Sequence, residues 1–349
     1  MATARGWVKE AGARAAAGRP LDDLKVQAPG IARRPTEGWR LFYTAVGTGR
    51  PYLDCQGYIL SAVSEDGVDF VVEPGIRVGP DPDDPDMSLR VLAPSIAPLP
   101  DGRWRMFFES RGSADRPYTI RSAISEDQSQ WTVEPGARLA AFDRVGGPRY
   151  TSLPGGGGRL YCWASRWQGV TSGGGELESL GVVSAVSEDG LTFELEPGVR
   201  MSGGDSEIAS GGVTAAEVLP PAVAGERWTM VYSCWQQPPA GAVVAAHPSE
   251  QVDAVSTGAS ADFAARSIAS DLSGYRSRLF VSYSDDGLAF EPGTPVLEGD
   301  GYGAPGIDAV HAEDMCLAPL GGGRYRVYYA SCDTVGSWRV ASAVADLGR

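Results

Sequence analysis

Three carboxylates and a histidine crowd into seven residues near the C-terminal end, Asp308-Ala-Val-His311-Ala-Glu313-Asp314, and the chain has only two histidines. Carboxyl groups beside an imidazole can donate and abstract protons, so Glu313, Asp314 and His311 are candidate acid/base groups. The same oxygen and nitrogen donors could hold a structural divalent cation near His311, although no defined metal-ligand spacing is matched. A plain hydrogen-bonded network, with Asp308 as a further member, is the third reading. Glu109 is a second candidate acid, because the equivalent residues of the other repeats are Thr44, Trp163, Ser233 and Ala330. Arg90, Arg111, Arg144, Arg149 and Arg166 fall in the same class of loops. Guanidinium forks there can clasp a carboxylate or a phosphate, or interleave with Asp83, Asp84, Asp86 and Asp143. Trp163 and Trp235 can stack on a sugar ring or bury themselves between sheets.

A repeat must position these groups. Modules beginning Ser61-Ala-Val-Ser-Glu-Asp-Gly67, Ser122-Ala-Ile-Ser-Glu-Asp127, Ser184-Ala-Val-Ser-Glu-Asp-Gly190 and Ser282-Tyr-Ser-Asp-Asp-Gly287 each run into a Glu-Pro-Gly corner. Each reads as a hairpin: an alternating strand, a tight turn and a strand led by an aromatic. A second hairpin, such as Trp39-Arg-Leu-Phe-Tyr-Thr44 or Tyr325-Arg-Val-Tyr-Tyr-Ala330, recurs five times. Five units of four antiparallel strands predict an all-β, five-bladed β-propeller in one domain, residues 1–349. The blades are expected at 24–80, 90–142, 148–202, 211–298 and 308–349. Trp7-Val-Lys-Glu10-Ala-Gly12-Ala-Arg14 matches Trp131-Thr-Val-Glu134-Pro-Gly136-Ala-Arg138. Residues 6–16 are therefore expected to close the last blade, removing an open sheet edge. The repeated glutamates and the arginines after them recur in nearly every blade, so they read as scaffold. Function belongs to the long loops after the second strands and before the first. The insertion at 236–276 is expected to form a lid or rim, with a short helix at Ser260–Leu272.

Composition sets limits. Net charge is −14 and no basic run occurs, which argues against a nucleic-acid partner. No apolar stretch is long enough for a membrane helix, and residues 1–20 lack the core of a secretory leader. The five cysteines have no paired spacing and read as reduced buried thiols in a cytoplasmic protein. Nearly all positive charge is Arg, since Lys9 and Lys25 are the only lysines. No Rossmann or P-loop glycine pattern is present, so no redox cofactor is expected.

The Ala93-Pro94-Ser95-Ile96 strand, the turn to Asp101-Gly-Arg-Trp-Arg-Met-Phe-Phe108 and the Ser-Glu-Asp-Gly-x-x-Phe hairpins resemble the superfamily of arabinanases, β-xylosidases, levansucrases and invertases. It includes glycoside hydrolase families 43, 32 and 130. The resemblance implies a five-bladed propeller acting on carbohydrates. The catalytic motifs depart from it. Ala28-Pro29 stands where family 43 has its Asp-Pro general base, Arg149-Tyr150 matches its third-blade Asp-Pro, and Gly211-Gly-Val213 lacks its Glu. Asp22, Asp143 and Glu207 keep a similar spacing, 121 and 64 residues, but precede the strands. His311 resembles the channel histidine of family 43, and Glu313-Asp314 the Glu-Asp of family 130 in a different blade.

The leading expectation is a glycosidase-like enzyme acting on a small polar, sugar-derived or anionic metabolite. One acid would come from Glu313 or Asp314 and the other from Glu109 or Glu207. Arg149 and Arg166 would bind substrate, with Arg90, Arg111, Trp163, Trp235, Asp143 and Asp308 nearby, and His311 would orient or relay protons. A lyase, cyclase or isomerase of secondary metabolism on the same scaffold is the alternative, and a non-catalytic carbohydrate-binding propeller the third. The partner expected is a small-molecule substrate.

Overall fold

The computed structural model describes residues 6–112, 116–167, 180–204, 206–223, 225–245 and 260–347. Two short N-terminal strands, β1 (Trp7–Lys9) and β2 (Ala15–Ala16), precede the first sheet. That sheet runs β3 (Lys25–Arg33), β4 (Trp39–Val46), β5 (Tyr58–Ser64), β6 (Val71–Val72). The second runs β7 (Arg90–Pro98), β8 (Trp104–Arg111), β9 (Thr119–Ser125), β10 (Thr132–Val133). The third runs β11 (Phe142–Ser152), β12 (Gly158–Trp167), β13 (Gly181–Ser187), β14 (Glu194–Leu195), with β15 (Met201–Ser202) also on β13. β16 (Gly212–Leu219), β17 (Trp228–Gln236), β18 (Arg276–Ser284) and β19 (Thr294–Leu297) form the fourth unit. The fifth has β20 (His311–Gly321), β21 (Arg324–Cys332) and β22 (Trp338–Asp346). Its outer edge is filled by β1 and β2, paired antiparallel with β22 from Trp7↔Ala345 to Ala16↔Arg339. One parallel contact, Ser277↔His311, joins units four and five. The fold is thus nearly all-β and propeller-like, with one α-helix among the described residues, α1 (Ser260–Asp271), inside the insertion.

The core lies between sheets. Phe42 and Ile59 of unit one pack with Met106 and Phe108 of unit two. Phe107 packs with Leu160 and Cys162, Tyr161 with Met230, and Val231 with Val327. Tyr43 of unit one meets Tyr328 and Val340 of unit five. All five cysteines are buried free thiols. No helix among the described residues is long and apolar enough to cross a membrane.

The repeated acids bind the scaffold. Three corner carboxylates, Glu73 and Glu134 of Glu-Pro-Gly and Glu10 of Glu-Ala-Gly, take a fork from an arginine of their own unit: Arg40 to Glu73 at 2.8 and 2.9 Å, Arg105 to Glu134 at 2.8 and 3.0 Å, Arg326 to Glu10 at 2.8 and 2.9 Å. Arg159 and Glu196 make the same pair. In unit four Glu291 takes a single bond, from Arg227 at 2.7 Å. The forks also donate to turn carbonyls of the next unit: Arg40 to Asp127, Arg105 to Asp189, Arg326 to Asp66. The arginines after the corners do likewise, Arg77 to Ser129, Arg138 to Leu191 and Arg14 to Val68. Burial pushes Glu10, Glu73 and Glu134 upward, yet hydrogen bonds from Arg and Ser hold them below the usual carboxylate value. A lowered folded pKa adds stability that is complete above the unfolded value and drains as pH falls through the folded one. The melting temperature should therefore fall as pH drops below about 4.5, the ordinary Glu value. Glu134→Gln should lower stability by about 1–3 kcal/mol in a urea titration at pH 7 and flatten the acid limb.

Candidate functional site

First strands carry a shared irregularity. The register slips between Gln27/Gly30, Leu92/Ser95, Gly146/Arg149 and Glu313/Cys316. At each slip one residue is left-handed: Ala28 at φ 47°, Ala93 at 54°, Gly147 at 54° and Asp314 at 49°. Such backbone costs a non-glycine residue about 1 kcal/mol or more and persists only where surroundings impose it. The surroundings are visible. Thr44 Oγ1 accepts the Ala93 N–H at 2.9 Å and Ser233 Oγ the Asp314 N–H at 3.1 Å. Glu109, at the same position of unit two, accepts the Gly147 N–H. A hydroxyl suffices in the other two units, so the capping role leaves a carboxylate at 109 unexplained.

Above these bulges lies a cavity of about 280 Å³. Glu109 on β8 and Glu313 and Asp314 on β20 line it together, with Trp163 and Trp235. Helix α1 roofs it through Phe263, Ala264 and Ser267, so the insertion is a rim of the cavity. The Trp235 indole donates to Glu313 at 2.5 Å, fixing that carboxylate's orientation. Burial raises the Asp314 pKa well above the usual carboxylate range, and the charge of Glu313 beside it adds to the rise. Burial raises Glu109 as well, but Arg90, the Gly147 N–H and Arg111 oppose it. Burial raises both acids; the nearest charge adds to the rise at Asp314 and opposes it at Glu109, the contrast wanted between a proton donor and a base.

Gly146 makes room for this pair. A Cβ there would sit 1.9 Å from Glu109 Oε2 and 2.4 Å from the Trp163 ring. Gly146→Ala should displace both side chains and cut turnover about 100-fold, with the circular-dichroism spectrum unchanged.

The structure does not bring every expected residue to the cavity. Arg149 is fully buried on the opposite side of the bulges. It donates to the carbonyls of Pro29, Pro94, Pro148 and Met315 at 3.0–3.4 Å and pairs with Glu217 at 3.2 Å. Arg149 collects these carbonyls beside the bulges and does not line the cavity. Glu207 lies exposed on a short 3-10 turn, Glu207–Ala209, away from the cavity. Asp308 is buried against Tyr329 Oη at 3.0 Å and Lys9 Nζ at 2.6 Å. Asp22 is buried with Arg19 and the Tyr43 hydroxyl. Asp143 and Arg111 also lie outside the cavity lining; the Asp143 carbonyl accepts the Tyr118 N–H, and Arg111 donates to Tyr118 Oη at 2.7 Å. The side chain of Arg166 and all of His247 lie outside the described residues.

His311 reaches the cavity with both ring nitrogens engaged. Nε2 donates to the Asp271 carbonyl at 3.0 Å, and Nδ1 bonds to Ser277 Oγ, also at 3.0 Å. A cation at either nitrogen would displace one of these bonds. The ring stacks on Trp338 with centroids 5.3 Å apart. Lys25, which sequence reasoning passed over, joins the group. Its Nζ pairs with Asp271 at 2.7 Å and with Ser267 Oγ at 3.0 Å. Both partners stand on α1, so Lys25 and His311 latch the roof to β3 and β20. The available signal was rarity, since only Lys9 and Lys25 among the 30 Lys and Arg residues are lysines.

No protein-family profile matches the chain, and no curated protein matches it in sequence. Solved structures match over nearly its whole length. A glycoside hydrolase aligns at TM-score 0.65 and 14% identity, covering 97% of this chain and 92% of that one. A protein from work on the glycoside hydrolase family 130 mannoside phosphorylases, and on hydrolases within it that target β-1,2 mannosidic linkages in Candida mannan, aligns at 0.61 and 14%, covering 99% and 94%. An N-acetylgalactosamine deacetylase from F. plautii, solved with blood group B trisaccharide, aligns at 0.62 and 15%, covering 98% and 96%. The chain therefore has the fold of the propeller glycoside hydrolases and their structural relatives.

Proposed function

We propose that this chain is a glycosidase-like enzyme that works by carboxylate acid/base chemistry in the cavity beneath α1, on a small polar, sugar-derived molecule. The observation that carries the reading is the meeting of Glu109 with Glu313 and Asp314, from units two and five, across one cavity. Asp314 keeps its proton to higher pH than a free carboxyl and acts as the general acid. Glu109, held beside Arg90, is the opposing carboxylate, either base or nucleophile. Glu313, fixed by Trp235, keeps the proton on Asp314. The ring is read as one five-bladed propeller spanning the chain. Support comes from the contact of each first strand with the next, β20 returning to β3, and from the closure of unit five by β1 and β2.

A panel of nitrophenyl glycosides and sugar-derived acids, followed by product release, tests this reading. Cleavage should fall as pH rises through the Asp314 pKa, because the acid is active only while protonated. A wild-type protein that binds sugars in the cavity but cleaves no glycoside would refute hydrolysis.

A further inference from the structure

Arg90 is a buried arginine on the cavity wall with no carboxylate fork among the described residues. Its side chain is 9% exposed and lines the cavity. Its ion pair among the described residues, with Glu109 Oε1, is 3.6 Å long, beyond hydrogen-bond length. Its Nε has no hydrogen-bond partner among the described residues. The repeated scaffold arginines contrast with it. Arg40, Arg105 and Arg326 each satisfy a full carboxylate fork and a carbonyl.

Buried donors without partners are costly, and a buried guanidinium more so. Two of the acids that sequence reasoning set against this cluster pair with other arginines. Asp84 pairs with Arg121 at 2.6 Å and Asp86 with Arg116 at 3.5 Å. Arg90 rests over the Tyr118 ring at 5.2 Å, and Arg111 lies over the same ring at 4.7 Å. Arg144 also lines the cavity. Burial, with Arg90 next and Arg144 adding, pushes Arg111 down to about 10, a sign that the cations crowd one another.

We infer that the substrate carries an oxyanion, and that Arg90 with Arg144 receives it on the cavity wall beside Glu109. The inference deepens the proposed function and rests on it only in taking this cavity as the substrate site. A carboxylate and a phosphate both fit a guanidinium fork. The sugar ring would then lie between this wall and Asp314, stacked near Trp163 or Trp235.

Calorimetry on the full chain tests this with glucuronate, glucose 6-phosphate and glucose as probes. At least one charged sugar should bind more tightly than glucose, and its affinity should weaken with added salt. Preference for glucuronate identifies a carboxylate, and preference for glucose 6-phosphate a phosphate. Arg90→Met should weaken the charged probe at least 30-fold and leave glucose unchanged. Arg90→Lys keeps the charge without the fork, should fold normally by its thermal midpoint, and should show an intermediate loss. Equal, salt-independent binding of all three probes, or an unchanged affinity in Arg90→Lys and Arg90→Met, would overturn the inference. Asp314→Asn separates it from the catalytic reading. That variant should still bind the charged probe. Charged-probe binding without turnover in the wild type sinks hydrolysis alone, and turnover of neutral glycosides unaffected at Arg90 sinks the oxyanion alone.

Discussion

Asp314→Asn and Glu109→Gln are each expected to lower kcat at least ~100-fold on whichever glycoside the wild type cleaves, with little change in KM. Both substitutions keep shape and remove the titrating group. Asn tolerates the left-handed backbone that Asp314 adopts at φ 49°. In Glu109→Gln the new amide oxygen can still accept the Gly147 N–H. The thermal midpoint should therefore stay near the wild-type value, which separates a chemical role from a structural one. Glu109→Ser sharpens the distinction. Thr44 and Ser233 cap the equivalent bulges with hydroxyls, so a serine preserves that architecture and still removes the carboxylate. Asp314→Asn should also abolish the alkaline limb of the pH profile in any residual activity. Wild-type rates in both variants would remove these residues from the mechanism.

Arg149→Met should unfold the protein or cost about 3–5 kcal/mol, the range for breaking a buried ion pair from one side. Four carbonyls contributed by several sheets would lose their donor together, and Glu217 its cation. Burial, opposed by Arg149, pushes Glu217 up to about 7. An acid raised in the fold is favoured protonated, so its burden on stability grows as pH rises from the unfolded value through the folded one. Without Arg149 the ionised form loses its attraction, so the variant should lose more stability at pH 8 than at pH 5. Urea titrations at the two pH values read this directly. An equal loss at both would remove Glu217 from the network that Arg149 holds together.

Local repetition made much of this architecture readable. The Glu-Asp-Gly turns and Glu-Pro-Gly corners recur at fixed offsets, and the N-terminal Trp7 motif matches the outer strand it supplies. The scaffold role of Glu73, Glu134 and Glu196 followed because a feature common to several units is a poor candidate for a single site. The insertion helix was placed to within one residue at its end, since Phe263, Ile268 and Leu272 fall on one side of a helical turn. Glu313, Asp314 and Glu109, which line one cavity, stood out by the reverse logic, as acids at positions where other units have none.

Arg149 was misassigned for a definite reason. The strand pairings set Gly147-Pro148 against Ala28-Pro29 and Ala93-Pro94, so Arg149 stands where the other units have Gly30 and Ser95, two residues beyond the Asp position that the family comparison gave it. The latch was hidden for another reason. Lys25 meets Asp271 across 246 residues of chain, and no local pattern records such a contact. Asp308 stood in the same acidic run as Glu313 and Asp314. Its proximity in sequence did not survive as proximity in space, because it precedes β20 and turns toward Lys9.

The most direct test of the site is a crystal structure of Asp314→Asn with a sugar that the wild type turns over or binds. The account predicts the sugar in the cavity under α1, with Glu109 and residue 314 on opposite sides of the reacting bond. Their carboxyl positions should lie ~5–10 Å apart, the span of retaining and inverting pairs. A sugar bound outside this cavity, or in it with neither side chain in reach, would contradict it.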